Sequence, residues 1–335
     1  MTGQFRFSLG PWNIHEGSDP FGPPVRPSVP WAEKVQFVRA LGFEGMQFHD
    51  DDAVPHLMEL PPAAIRQQAR QVRAILSDAG VVAEFVAPRL WEDLQFVDGA
   101  YTANDPAVRR AAIERSLRAI DVAEELQTDL IVLWLAREGT YVRESKDAVG
   151  AVAWLVEAID RMLEYHPRIR IAIEPKPNEP MDLAYLPTTG HAVALSYRTR
   201  DPSRVGVNIE SAHAILAGLD PSDEMAFALA FGKLFSVHLN DQNGLKYDQD
   251  AVSGASTSGE HSTRCVCWTG TGMGAKASSS VWTSKRSGRN LPSWRRDTWP
   301  IVGNSSSCCW RSCEVWTRPR STRPFARGIM KRSII

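Results

Sequence analysis

From residue 5 to about residue 250, seven short apolar runs alternate with amphipathic stretches, a rhythm that confines the chain to a parallel sheet wrapped by helices. The runs cover residues 5–9, 45–48, 81–86, 130–134, 169–173, 205–208 and 234–239. Helical periodicity is clearest over 63–79, 106–126 and 148–165, where apolar residues recur at three and four. Asp105 followed by Pro106 reads as an N-cap with proline at the first helical position, and Gly80 reads as a helix stop. Seven strands of one kind predict an α/β fold, a (β/α)8 TIM barrel whose eighth βα unit is missing or garbled. Polar residues gather just after the runs, as in His49-Asp50-Asp51-Asp52, Glu174 with Lys176, Glu210 with His213, and His238 with Asn240. In a barrel those positions are the C-terminal strand ends, where active sites are built.

Beyond about residue 250 the rhythm stops. All five cysteines and six of the eleven tryptophans lie from Cys265 onward, among many Ser and Arg. Residues 1–250 therefore read as the catalytic barrel domain and 251–335 as an atypical Ser/Arg/Trp/Cys-rich tail that is not expected to fold natively. Six tryptophans are too many for an ordinary disordered segment. The spacings of Cys265, Cys267, Cys308 and Cys309 do not match a zinc site. A shift of reading frame explains the break better. Trp282 has the single codon TGG and Thr283 begins AC, so a frame joining each third base to the next two must read GAC, aspartate. With free third bases chosen, the same offset turns SSVWTSKRSGR into FVGLDVKAIRT, a buried strand with polar ends, and restores sense to residues 252–263.

Composition sets the remaining bounds. A hydrophobic fraction of 43% suits a sizeable core, and a net charge of −1 gives no reason to expect nucleic acid or an anionic membrane as partner. The N-terminal MTGQFRFSLG has no apolar signal region and no later stretch is long enough to span a bilayer, so a cytoplasmic location is expected.

The densest chemistry lies in IEPKPNEP, residues 173–180. Pro175 and Pro177 hold Glu174 and Lys176 rigidly, so that a carboxylate can bind a divalent cation while an ammonium two residues on polarises a substrate oxygen. The competing reading is a surface turn with a Glu–Lys pair. Glu210 and His213, three apart, suit one metal from one helical turn, although a satisfied core histidine is the commoner outcome of that spacing. Asp248 and Asp250 add carboxylates from the next loop, which without such neighbours would read as a solvated turn. Hard oxygens with imidazoles suit Mg²⁺, Mn²⁺ or Co²⁺. His49 beside a carboxylate is a candidate acid–base group. For Asp50 and Asp51 the blander reading, a helix N-terminus, is preferred. Trp12, Trp91 and Trp134, at or after strand ends, are either barrel packing or flat walls for a sugar ring.

These segments together resemble the xylose isomerase family, actinobacterial class: DPFG (19–22), FHDDD (48–52), LW..REG (133–139), EPKPNEP (174–180), VN.E..H (207–213) and LNDQNGLKYDQD (239–250). The resemblance implies two divalent cations, Mg²⁺ first and Mn²⁺ or Co²⁺ next. Glu174 would hold one metal and Glu210 would bridge to a second held by His213, Asp248 and Asp250. It implies a ring-opening pair in His49 and Asp52, a sugar-contacting lysine in Lys176, hydrophobic walls in Trp12 and Trp134, and an aromatic, Phe21, reaching a neighbouring subunit's site in a homotetramer. Two departures stand out. His238 occupies a position where the family has Asp, and related barrel epimerases have a histidine there. The family's last ligand, an Asp on strand eight, is absent, and the forced GAC falls where it belongs.

The implied function is metal-assisted isomerisation of an aldose, D-xylose to D-xylulose, by hydride shift after ring opening. Three alternatives stay open: a ketose 3-epimerase of the same superfamily, a barrel endonuclease that cuts abasic DNA, and an inactive product of a shifted frame. The endonuclease would need basic groove residues, where acidic and aromatic ones stand.

Overall fold

The computed structural model describes residues 6–14, 25–251 and 280–282. Eight parallel strands form a closed barrel: β1 (Phe7–Leu9), β2 (Gly45–His49), β3 (Val82–Ala87), β4 (Leu130–Trp134), β5 (Arg170–Glu174), β6 (Val205–Glu210), β7 (Leu234–Leu239) and β8 (Ser280–Trp282). Neighbours pair in chain order, and β8 lies between β7 and β1, with Ser280 opposite Val237 and Phe7. The fold is thus the expected barrel. Its eighth position is filled by only three residues of backbone, where β2 to β7 have five or six. The rest of 252–335, and Phe21, lie outside the described residues.

The central strands are apolar because both of their faces are covered, as parallel strands require. LIVLW of β4 and VGVNIE of β6 are buried or nearly so along their whole length. Outside them run α3 (Pro62–Ala79), α4 (Pro106–Leu126) and α5 (Ala148–Tyr165). Ile65, Ala69 and Leu76, Ala119 and Ile120, and Leu155, Ile159 and Met162 form one core with Ile131, Leu133, Ile171 and Ile173 of the strands. The helix starts follow their capping chemistry. Asp105 accepts the N–H of Ala107 at 2.7 Å, and Asp147 those of Val149 and Gly150 at 3.0 and 2.9 Å. Gly80 ends α3 in the left-handed region, at φ 66°, as expected for a helix stop.

Five further helices complete the described set: α1 (Trp31–Ala40), α2 (Asp50–Ala53), α6 (Thr189–Ser196), α7 (Ser211–Leu216) and α8 (Pro221–Ala230). The two shortest, α2 and α7, each start directly on a strand end and carry Asp52 and His213 over the barrel mouth. Inside the barrel, Phe85, Ala87, Leu130, Val132 and Ala172 form a small apolar layer with Trp12 and Phe235. A polar knot accompanies it: the Glu84 carboxylate accepts from Ser8, from Gln47 at 3.1 Å and from Ser236 at 3.0 Å. No helix among the described residues is long and apolar enough to cross a membrane.

Candidate active site and metal centre

At the C-terminal mouth a pocket with about 760 Å³ of empty space, open solvent included, is lined by Trp12, His49, Phe85, Arg89, Trp91, Glu92, Trp134, Glu174, Lys176, Glu210, His213, His238, Asp248 and Asp250. That volume lies in the range of pockets for small organic ligands. It also gathers residues from seven strand ends, which no local sequence pattern could have joined.

Two clusters share Glu210. Glu174, Glu210 and His238 bring ligand atoms within 4.8 Å of one another, and so do Glu210, His213 and Asp248. His238 Nδ1 lies 3.2 Å from Glu210 Oε2 and 3.5 Å from Glu174 Oε2. His213 Nε2 lies 3.1 Å from Glu210 Oε1 and 3.0 Å from Asp248 Oδ2. The outer oxygens are held by amides: Asn208 donates to Glu174 at 2.7 Å, and Asn240 to Glu210 at 2.7 Å. These residues suit a divalent cation. Three carboxylates stand together, the two glutamates at 4 to 6% exposure, a crowding of negative charge that a cation would relieve, and buried His213 Nδ1 makes no hydrogen bond, with Glu174 Oε1 at 3.4 Å.

The electrostatics point the same way. Burial, reinforced by Glu210, pushes Glu174 up to about 7 against the pull of His238 and His213. Burial works against the charge on His238, but Glu174 and Glu210 push it up to about 9. His213 is also raised, burial being outweighed by Glu210 and Asp248. Glu210 is held low despite burial by His213 and His238. The cluster therefore holds protons that a cation would displace.

The other half of the pocket is aromatic and basic. His49 ends β2 between Trp12 (ring centroids 4.7 Å apart) and Trp91 (5.0 Å, edge-on), and Trp91 meets Trp134 edge-on at 4.5 Å. Gly10 carries no side chain because the Trp12 indole fills the space that a Cβ would need. Lys176, 4% exposed, lies 4.9 Å from the Trp134 ring centre and pairs with Asp248 at 3.1 Å. Burial opposes its charge, but Asp248 and Glu179 raise its pKa above the ordinary lysine value.

A family model for the xylose isomerase-like TIM barrel matches residues 35–263. The chain belongs to that family. Among solved structures it resembles a D-tagatose 3-epimerase-like protein (TM-score 0.66, 14% identity, covering 93% of this chain and 98% of that one). It also resembles L-ribulose 3-epimerase (0.62, 15%, 95% and 100%) and a xylose isomerase domain protein from Alicyclobacillus acidocaldarius subsp. acidocaldarius (0.62, 14%, 93% and 100%). At such identities the likeness is one of fold. The structural neighbours are mostly ketose 3-epimerases, so the narrower likeness to actinobacterial xylose isomerases gives way to the wider family.

Within this family fold most of the sequence-predicted site residues meet in one pocket. Asp250 lines it but belongs to neither cluster; its carboxylate accepts from Asn240 at 2.8 Å. Asp52 approaches His49 Nδ1 at 3.1 Å yet also binds Arg89. Asp50 is fully buried in a two-pronged pair with Arg115, in keeping with its non-catalytic reading. Sequence reasoning missed Arg89, Phe85, Glu92 and Glu179. Glu179 alone carried a signal, standing in the motif with Lys176, which it pairs at 3.5 Å. Arg89 follows Pro88 in an irregular stretch without periodicity, and only the fold brings it to His49.

Proposed function

We propose that this barrel is a divalent-metal-dependent sugar epimerase that inverts C3 of a free ketose. The observation that carries the reading is the Glu174–Glu210–His238 cluster, in which an imidazole at the end of β7 stands where an aldose isomerase has a carboxylate. The 3-epimerase names of the structural neighbours support it. Glu174, Glu210 and His238 would hold one cation, Mg²⁺ first and Mn²⁺ or Co²⁺ next, which would polarise the sugar's carbonyl and so acidify the adjacent C–H. Glu174, whose carboxylate lines the pocket, is placed to take that proton. Inversion also needs an acid on the opposite face of the carbon. The reading assigns that acid to the end of β8, where this chain has Trp282-Thr283 and the alternative frame reads aspartate. Trp12, Trp91 and Trp134 wall the sugar off from water, and Lys176 is placed to bind a sugar oxygen.

Aldose–ketose isomerisation is the second reading. It is favoured by the second cluster, Glu210–His213–Asp248, which offers a place for another cation, and by Lys176 and His49 in the same pocket. The two readings differ in the fate of one hydrogen. In D₂O with each metal, epimerisation places solvent deuterium at C3 of the product from D-tagatose or D-fructose. A hydride shift converts D-xylose to D-xylulose without deuterium from solvent. C3 label supports the first reading and unlabelled xylulose the second; no turnover of any of these sugars by the chain, as it stands or with its frame restored, sinks both. The same proposal includes a homotetramer, checked by sedimentation, and a cytoplasmic location, checked by cell fractionation.

A further inference from the structure

We propose that Arg89 locks His49 into one tautomer, with a bare Nδ1 and a proton on Nε2, so that His49 meets its ligand as a hydrogen-bond donor and not as a base. Arg89 Nη2 lies 2.8 Å from His49 Nδ1 and 2.9 Å from Asp52 Oδ1. A guanidinium has only hydrogens to offer, two of them on Nη2, and it stays protonated in proteins. One of those hydrogens goes to Asp52, and the other meets the imidazole, where only a lone pair can receive it. A proton on Nδ1 would set two donor hydrogens against each other across 2.8 Å.

Asp52 Oδ2, at 3.1 Å from Nδ1, is the rival partner, since a carboxylate alone would draw the proton to Nδ1. That oxygen already accepts the backbone N–H of His49 at 3.0 Å, and its sister oxygen is taken by Arg89. The arginine has no freedom to turn away. Its Nε donates to Asp51 at 2.7 Å, its Nη1 to Glu92 at 2.9 Å, and its guanidinium lies 5.7 Å from the Trp91 ring centre. Burial works against the guanidinium charge, but Asp52, Asp51 and Glu92 hold its pKa above the ordinary arginine value. Trp12 and Trp91 fix the imidazole ring from two sides.

Among the described residues no group is hydrogen-bonded to His49 Nε2, and His49 lines the pocket. The Nε2–H is therefore offered to an acceptor oxygen of the ligand: a carbonyl, ring or hydroxyl oxygen of a polyhydroxylated compound. Arg89 is a positioning residue, acting through His49. The inference concerns the pocket assigned above to a sugar, but its first readout needs no turnover. The two ideas can therefore fail separately.

The test is long-range ¹H–¹⁵N correlation on the full chain, as it stands or with its frame restored from about codon 250, labelled with ¹⁵N-histidine in mildly alkaline buffer, with His49→Gln to assign the signal among the histidines. The wild-type protein is expected to show His49 with unprotonated Nδ1 and protonated Nε2. Asp52→Asn should keep that pattern, because Arg89 still donates. Arg89→Met should move the major tautomer to protonated Nδ1 facing Asp52, and Arg89→Lys should retain part of the wild-type signal. A wild-type spectrum with the proton on Nδ1, or one unchanged in Arg89→Met, overturns the proposal. Should Arg89→Met fail to fold, the wild-type and Asp52→Asn spectra decide.

Discussion

Glu174 and His238 show how one residue's environment can set the behaviour of the whole centre. Without a cation, Glu174 is pushed from 4.5 up to about 7 and His238 from 6.5 up to about 9. A raised folded-state pKa means that the folded form holds the proton more tightly, so its contribution to stability is complete at low pH. The Glu174 contribution fades as pH rises from 4.5 through 7, and that of His238 as it rises from 6.5 through 9. Glu210 behaves in the opposite sense, its contribution being lost as pH falls below the ordinary carboxylate value. The metal-free protein should therefore melt highest in mildly acidic buffer and lose stability toward alkaline pH. Added Mn²⁺ or Mg²⁺ should raise the melting temperature more at alkaline than at acidic pH, because binding must displace these protons. Thermal shift with and without metal, read across pH, checks both trends. A metal effect that grows toward acid would contradict them.

Strand-to-helix junctions bear much of the fold's specificity. The acidic run after β2 looks uniform in sequence, yet its three aspartates do different work. Asp50 is fully buried and binds Arg115 of α4 through two contacts of 2.8 Å, tying the end of β2 to a helix on the barrel's outside. Asp51 links Arg115 to Arg89, and Asp52 joins Arg89 to His49. Removing one member of a buried pair leaves the other uncompensated, so Asp50→Ala should cost about 3–5 kcal/mol of unfolding free energy in urea titration. Asp51→Ala should cost less, since Asp51 is more exposed and its partners keep other carboxylates. Glu138 performs a similar task in another loop, its carboxylate accepting the N–H groups of Ala100, Tyr101 and Thr102 at 2.9 to 3.1 Å. That holds the segment following Trp91 against the strand-four side of the mouth.

At the scale of the molecule, closure is the weak point. Strands β2 to β7 have five or six residues each, while β8, like β1, has only three, and it is drawn from a segment whose composition fits no barrel strand. Pairing that short is a weak seal, and a frayed edge on either side of it invites aggregation. We therefore expect the chain as it stands to be poorly soluble and weakly active. Restoring the alternative frame from about codon 250 should give a soluble, metal-activated protein with an aspartate at the end of β8. Resequencing the gene across that codon, and comparing soluble yield and turnover of the two forms, checks this. A soluble, fully active enzyme with the present tail would refute it.

The strands and the longest helices were legible because burial imposes a period on a chain. Residues 130–134, 234–239, 106–126 and 148–165 are read from sequence with the same bounds as in the structure. α1, α6 and α8 escaped because they are short and their apolar faces are weakly marked beside the strands they cover. Among the candidate site residues, Glu174, Lys176, Glu210 and His213 were readable as candidates, since each sits in a short motif that suits a metal or a sugar oxygen, although each spacing also has a purely structural reading. What the sequence alone determined is therefore the barrel, the rim where its polar residues gather and most of the candidate donors. Only the tertiary structure decided that Glu210 is shared between two clusters, that Asp250 is held by Asn240 outside both, and that Arg89 stands against His49. Those facts depend on atoms brought together from different strand ends, and distances between such atoms leave no trace in local spacing.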